Sequence, residues 1–126
     1  MWLERLLDQT RSEEVGRFLE RTPGRELFLS DFCLHSIGVV MQRLDRLAGL
    51  LLFTQDVFTR AEASLVRLEP DDTERLVAVM EEFRLDYDDA YQYVASEKYD
   101  LSIISFDADF DRTARRRRTP ADVLRA

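Results

Sequence analysis

Short apolar runs set between longer stretches of helical periodicity constrain this chain more than any other feature. Leu27-Phe28-Leu29-Ser30, Ser64-Leu65-Val66-Arg67-Leu68 and Leu101-Ser102-Ile103-Ile104-Ser105-Phe106 read as strands, the last most clearly. Asp31 opens a stretch in which Leu34, Ile37, Val40, Met41 and Leu44 recur at helical spacing, and Leu50 to Phe58 continues as a second apolar helix. Asp72 caps a helix through Arg84, and Asp86 caps one from about Asp88 to Lys98. Ahead of these, Trp2 to Leu7 reads as helical. A further helix starts near Ser12, with Val15, Phe18 and Leu19 on one face and Pro23-Gly24 at its end. A short strand at Arg115 to Arg118 precedes Pro120 and a last turn through Leu124. Parallel strands need helical crossovers, and the crossovers cover the sheet. The expected class is therefore α/β: a three-layer α/β/α sandwich with a mostly parallel sheet. With 126 residues and no repeat, linker or low-complexity stretch, 1–126 reads as a single domain.

In an open parallel sheet the functional crevice lies beyond the carboxyl ends of the strands. Asp31 follows the first apolar run; Asp107, Asp109 and Asp111 follow the last; Asp86, Asp88 and Asp89 open the helix that leads into it. Carboxylates gathered in one place repel, and they stay ionised only beside something positive. With one histidine and one cysteine in the chain, a zinc set is out of reach, and an all-oxygen site suits Mg²⁺ or Mn²⁺. Such an ion accepts phosphate oxygens and activates a water for attack on a phosphodiester. The balance of 25 acids against 18 bases argues against binding nucleic acid uniformly over the surface. Arg115-Arg116-Arg117-Arg118, close behind the acids, offers a local hold on a nucleic-acid backbone. The plainer readings stand beside these: each aspartate is also a common helix cap, and an arginine run is also a solvated face. No apolar run is long enough to span a bilayer and the start carries no cleavage-site pattern, so the expected location is the cytoplasm.

Asp86-Tyr87-Asp88-Asp89-Ala90, followed by Leu101-Ser102-Ile103-Ile104-Ser105-Phe106-Asp107-Ala108-Asp109-Phe110-Asp111, resembles the C-terminal half of a PIN domain of the VapC toxin type. In that family an aspartate followed by alanine opens a helix, and a strand ends in Thr/Ser-x-Asp-x-Asp-Phe. Leu27 to Ser30 resembles the family's second strand, and Arg118-Thr119-Pro120 its closing strand and proline turn. The resemblance implies a Mg²⁺- or Mn²⁺-dependent endoribonuclease acting on RNA, often the toxin of a toxin–antitoxin pair. It implies Asp89 and Asp107 as catalytic and metal-binding acids, with Asp109, or less readily Asp111, in support. Arg115, Arg116 and Arg117 would hold the RNA. A homodimer and an antitoxin protein are the implied partners.

Two departures shape the expectation. The family begins with a strand ending in hydrophobic-Asp-x-Asn, whereas Met1-Trp2-Leu3-Glu4 resembles the residues just after it, so the chain is expected to start late by about one strand and to lack the first aspartate. The family's glutamate after the second strand is matched by Ser36, with His35 beside it; Asp31, one turn earlier, either supplies a carboxylate or caps the helix. These departures keep a second expectation open, a non-catalytic PIN-like module that binds a partner. A receiver-like phosphate acceptor is set aside because no lysine follows Lys98. His35 is expected to sit in the core or to be hydrogen-bonded, and Cys33 to pack as a small hydrophobe. Tyr87, Tyr91 and Tyr93 are expected to pack or to meet a dimer partner rather than stack on bases. Leu50 to Phe53 reads as core or partner interface.

Overall fold

The structure is a computed structural model that describes residues 1–7 and 9–125. Seven α-helices are described: α1 Trp2–Leu6, α2 Ser12–Arg21, α3 Asp31–Arg43, α4 Leu47–Thr54, α5 Thr73–Phe83, α6 Tyr87–Lys98 and α7 Pro120–Arg125. Between them lie β1 Phe28–Ser30 and β2 Ser64–Val66, which pair in parallel with Leu29 opposite Leu65. The crossover joining them is α3 and α4, as a parallel pair requires. The fold is thus a helix-rich α/β with a parallel sheet, and its class is the expected one.

The Leu101–Phe106 run departs from expectation. It forms no ladder, only an isolated parallel bridge between Ile104 and Arg118. In that bridge the Arg118 N–H donates to Ile103 C=O at 2.8 Å and the Ser105 N–H donates to Arg118 C=O at 3.0 Å. The expected strand at Arg115–Arg118 shrinks to the same bridge, because Arg116 takes the left-handed conformation at φ 58° and breaks extension. Leu50–Phe58 is also not one α-helix: α4 ends at Thr54, and the chain continues as a π-helical turn over Gln55–Arg60.

Local chemistry explains the element ends. Pro23 and Gly24 terminate α2, and Gly24 is obligatory for a second reason: a Cβ there would sit 1.6 Å from Ala61 C=O. Ser30, not Asp31, caps α3; its Oγ accepts from the Cys33 N–H at 2.9 Å. Asp86 caps α6 as expected, accepting from the Asp89 N–H at 2.9 Å. Asp72 offers α5 no side-chain cap; its carboxylate instead accepts from the Glu69 N–H at 2.7 Å and pairs with Lys98 at 2.7 Å.

Most of the buried apolar side chains fall into two clusters, with Val15 and Phe18 of α2 outside both. One gathers α5, α6 and the turn after Asp107 around Val79, Tyr93, Val94 and Phe110. The other gathers β1, α3 and α4 around Leu29, Ile37, Met41 and Phe53, with Trp2 set edge-on to Phe53 at 5.2 Å. Tyr91 and Tyr93 are buried, as the packing reading of the tyrosines requires, whereas Tyr87 is exposed. Cys33 is half-buried against the second cluster, but His35 is exposed on α3, contrary to its expected place. In α4, Phe53 turns inward while Leu51 and Leu52 face solvent. No helix among the described residues is long and apolar enough to cross a membrane.

Candidate metal centre

Asp89, Asp107 and Asp109 each place a carboxylate oxygen within 4.8 Å of the others. Asp89 lies in the first turn of α6, where the Asp86 cap fixes the backbone. Asp107 ends the Leu101–Phe106 run; its N–H donates to Ser105 Oγ at 3.0 Å, and its carboxylate accepts from the Asp109 N–H at 2.8 Å. That bond caps a 3₁₀ turn over Ala108–Arg112, which aims Asp109 back toward Asp89. A helix start and a tight turn, 18 residues apart in sequence, thereby bring three acids to one point.

The electrostatics follow. The carboxyl of Asp89 is pushed up to about 7, first by partial burial and then by the charges of Asp107, Asp86 and Asp109, with a hydrogen bond to Asp107 adding to the effect. A carboxyl held near neutrality by its own neighbours is a site short of positive charge. Three oxygens within 4.8 Å also match the spread of ligands on one ion, since each would stand about 2.0–2.6 Å from a hard cation. The residues present therefore fit a Mg²⁺- or Mn²⁺-like ion, with Asp89, Asp107 and Asp109 as its holders.

Other expected residues lie elsewhere. Asp31 is neither a cap nor a member of this group; its Oδ1 accepts from the Tyr91 hydroxyl at 2.7 Å and from the Phe32 N–H at 2.8 Å. Asp111 pairs with Arg117 at 3.3 Å. In the arginine run, Arg115 pairs with Asp100 at 3.0 Å, Arg117 also donates to Ser105 C=O at 3.3 Å, and Arg116 is exposed. Arg112 was not singled out by the sequence. Its guanidinium grips Asp109 at 2.9 Å and the carbonyls of Phe83 and Arg84 at 3.0 and 2.7 Å, tying the end of α5 to the acid-bearing turn. The available signal was an arginine three residues after an aspartate, the spacing of a helical ion pair.

This geometry, a helix start and a tight turn that bring three acids to one point, defines a candidate metal-dependent hydrolytic site. A family model described as PIN domain matches residues 1–116, and the chain belongs to the PIN-domain family. PIN domains generally indicate nuclease activity, are often found in toxin–antitoxin pairs, and typically depend on divalent metal. No curated protein and no solved structure matches the chain.

Proposed function

We propose that residues 1–126 act as one domain, a cytoplasmic VapC-like endoribonuclease that cleaves RNA with Mg²⁺ or Mn²⁺ and serves as the toxin of a type II toxin–antitoxin pair. The observation that carries this reading is the convergence of Asp89, Asp107 and Asp109 within 4.8 Å. When bound, the ion supplies charge neutralisation for the phosphate and an activated water. The protein's share is to hold that ion and to orient the RNA. Asp107 and Asp109 are fixed by the Ser105 and backbone bonds, and Arg112 sets the position of Asp109. Arg116 is exposed and lies with Arg115 and Arg118 beside Leu101–Ile103, while Arg117 pairs with Asp111; the run would hold RNA backbone along this edge. The test is cleavage of a labelled RNA with Mn²⁺, with EDTA and Asp89→Asn as controls. Loss of about 100-fold or more in Asp89→Asn is expected, as for removal of a group that stabilises the transition state. Undiminished cleavage by that variant refutes the assignment.

A second reading is favoured by one specific observation. Leu44, Leu47, Leu51 and Leu52 are 48%, 55%, 60% and 57% exposed along α4 and its entry. A cluster of exposed leucines suits a homodimer or antitoxin contact. In a non-catalytic module this interface, not the acids, is the function. Calorimetric titration with Mn²⁺ separates the two: tight, stoichiometric binding supports the nuclease and counts against the module.

A further inference from the structure

A recess of about 210 Å³ lies at the start of the Leu101–Phe106 run, lined by Leu101, Ser102 and Ile103 together with Arg115, Arg116 and Arg118. Three cations and no acid line it. The acids bonded to this part of the chain are each matched by a cation. Asp100 pairs with Arg115 at 3.0 Å, Asp111 with Arg117 at 3.3 Å and Asp122 with Arg125 at 2.7 Å. Glu97, whose carboxyl feels the charge of Arg115, pairs with Arg75 at 2.7 Å. Arg118 gives one N–H to Asp122 C=O at 3.2 Å. Neither Arg116 nor Arg118 forms an ion pair among the described residues, so two positive charges stand at the recess without a carboxylate, in a chain of net charge -7.

Arg116 is also held where its own backbone resists. Its φ of 58° is left-handed, a conformation that disfavours a long side chain and suits glycine. Buried Thr113 keeps it there: Thr113 Oγ1 accepts from the Arg116 N–H at 3.0 Å and donates to Phe110 C=O at 2.6 Å, which ties the turn to the core. An arginine in a glycine-like conformation, exposed at a recess, points to a task for the guanidinium rather than for the turn. A guanidinium fork matches two oxygens of one phosphate, and the exposed Ser102 hydroxyl adds a donor. The recess is also joined to the acids. Ser102 stands five residues before Asp107, so the run between them spans at most about 17 Å. Arg117 lies along that span, donating to Ser105 C=O at 3.3 Å. At about 3.4 Å per nucleotide of a stacked strand, the span is about five nucleotides.

We propose that this recess is a phosphate subsite for single-stranded RNA, with Arg116 as its main contact, holding the backbone about five nucleotides from the bond presented to Asp89, Asp107 and Asp109. The cations come from one segment beside one run, which serves one strand rather than both strands of a duplex. The subsite rests on the nuclease reading for its substrate. Its own binding needs no metal, so the two fail separately.

The test is fluorescence anisotropy of a labelled single-stranded RNA of about 12 nucleotides, in EDTA so that no cleavage competes. Arg116→Gly removes the guanidinium and suits the left-handed turn. It is expected to weaken binding about tenfold, to make the slope of log affinity against log salt shallower by about 0.7, and to leave the melting temperature no lower. Arg116→Lys is expected to keep the slope while losing part of the affinity. Arg43→Gln, the same loss of charge at the exposed end of α3, is expected to change neither. With Mn²⁺, Arg116→Gly is expected to slow cleavage of the long RNA about tenfold and to spare one of about four nucleotides, which is too short to span both places. Undiminished binding by Arg116→Gly overturns the proposal, as does an equal loss in Arg43→Gln. A lowered melting temperature in Arg116→Gly also overturns it, because the residue then serves the turn. Equal displacement of the RNA by a decamer of glutamate does so too, since the recess then takes acidic peptide. Binding that depends on Arg116 without cleavage of either RNA supports the subsite and fails the nuclease reading instead.

Discussion

At the scale of single residues, Asp89 is the group whose chemistry the fold has altered most. Its carboxyl is raised from an ordinary value of 3.8 to about 7, so the folded state holds the proton more tightly than the unfolded chain does. Linkage then gives the sign: this group's contribution to stability is most favourable below about pH 4 and is lost as pH rises from there through 7. Asp89→Asn is therefore expected to raise the melting temperature at pH 8, by on the order of 3 °C, and to flatten its slope between pH 5 and 8. Millimolar Mn²⁺ is expected to raise the wild-type value at pH 8 and to leave the variant nearly unchanged. Thermal melts across pH, with and without the ion, check all three. The acids that meet were legible because local rules place them: a cap three residues before Asp89, and a strand end before Asp107. The partner of Asp31 was not legible. The hydroxyl that claims it belongs to Tyr91, 60 residues away, and no local pattern carries that distance.

Among the elements, most helices were read closely because amphipathic spacing is written within each segment, but Leu50–Phe58 divides into α4 and a π-helical turn and Asp72 gives α5 no side-chain cap. The strands were read less well. Leu101–Phe106 has the composition of a strand, but a ladder needs a neighbour on at least one side along its length, and here only Arg118 supplies one. A run's own residues cannot say whether that neighbour exists. The entry to β1 depends on a contact equally invisible to local pattern, the approach of Gly24 to Ala61. Gly24→Ala would place its methyl carbon 1.6 Å from a backbone oxygen, which cannot swing away as a side chain can. The expected cost is about 2–4 kcal/mol, in the range of severe overpacking, measured as a shift in urea midpoint with little change in slope.

For the whole molecule, the accessible surface of 7921 Å² exceeds the about 7,000 Å² expected for a compact chain of 14.8 kDa. The excess accords with the exposed α4 leucines and the division of the core into two clusters. Six residues of α6 are buried against two of α3. Native-state hydrogen exchange is therefore expected to show two tiers, with α6 amides outlasting those of α3 by about tenfold or more. A single shared protection level across both helices would show that the clusters open as one unit.

Tyr91 joins three remote parts of the chain through one oxygen, donating to Asp31 and accepting from the Leu68 N–H at 3.0 Å. Burial raises its pKa, and Asp31 adds to the rise, so the folded state keeps the phenol neutral more firmly than the unfolded chain does. The consequence is an alkaline limit: stability is lost as pH climbs past the ordinary phenol value of about 10, because phenolate cannot donate to a carboxylate. In an ultraviolet titration Tyr91 should ionise only above the ordinary phenol range, in step with loss of the folded signal, and Tyr91→Phe should be less stable at pH 7 but should lack that alkaline step.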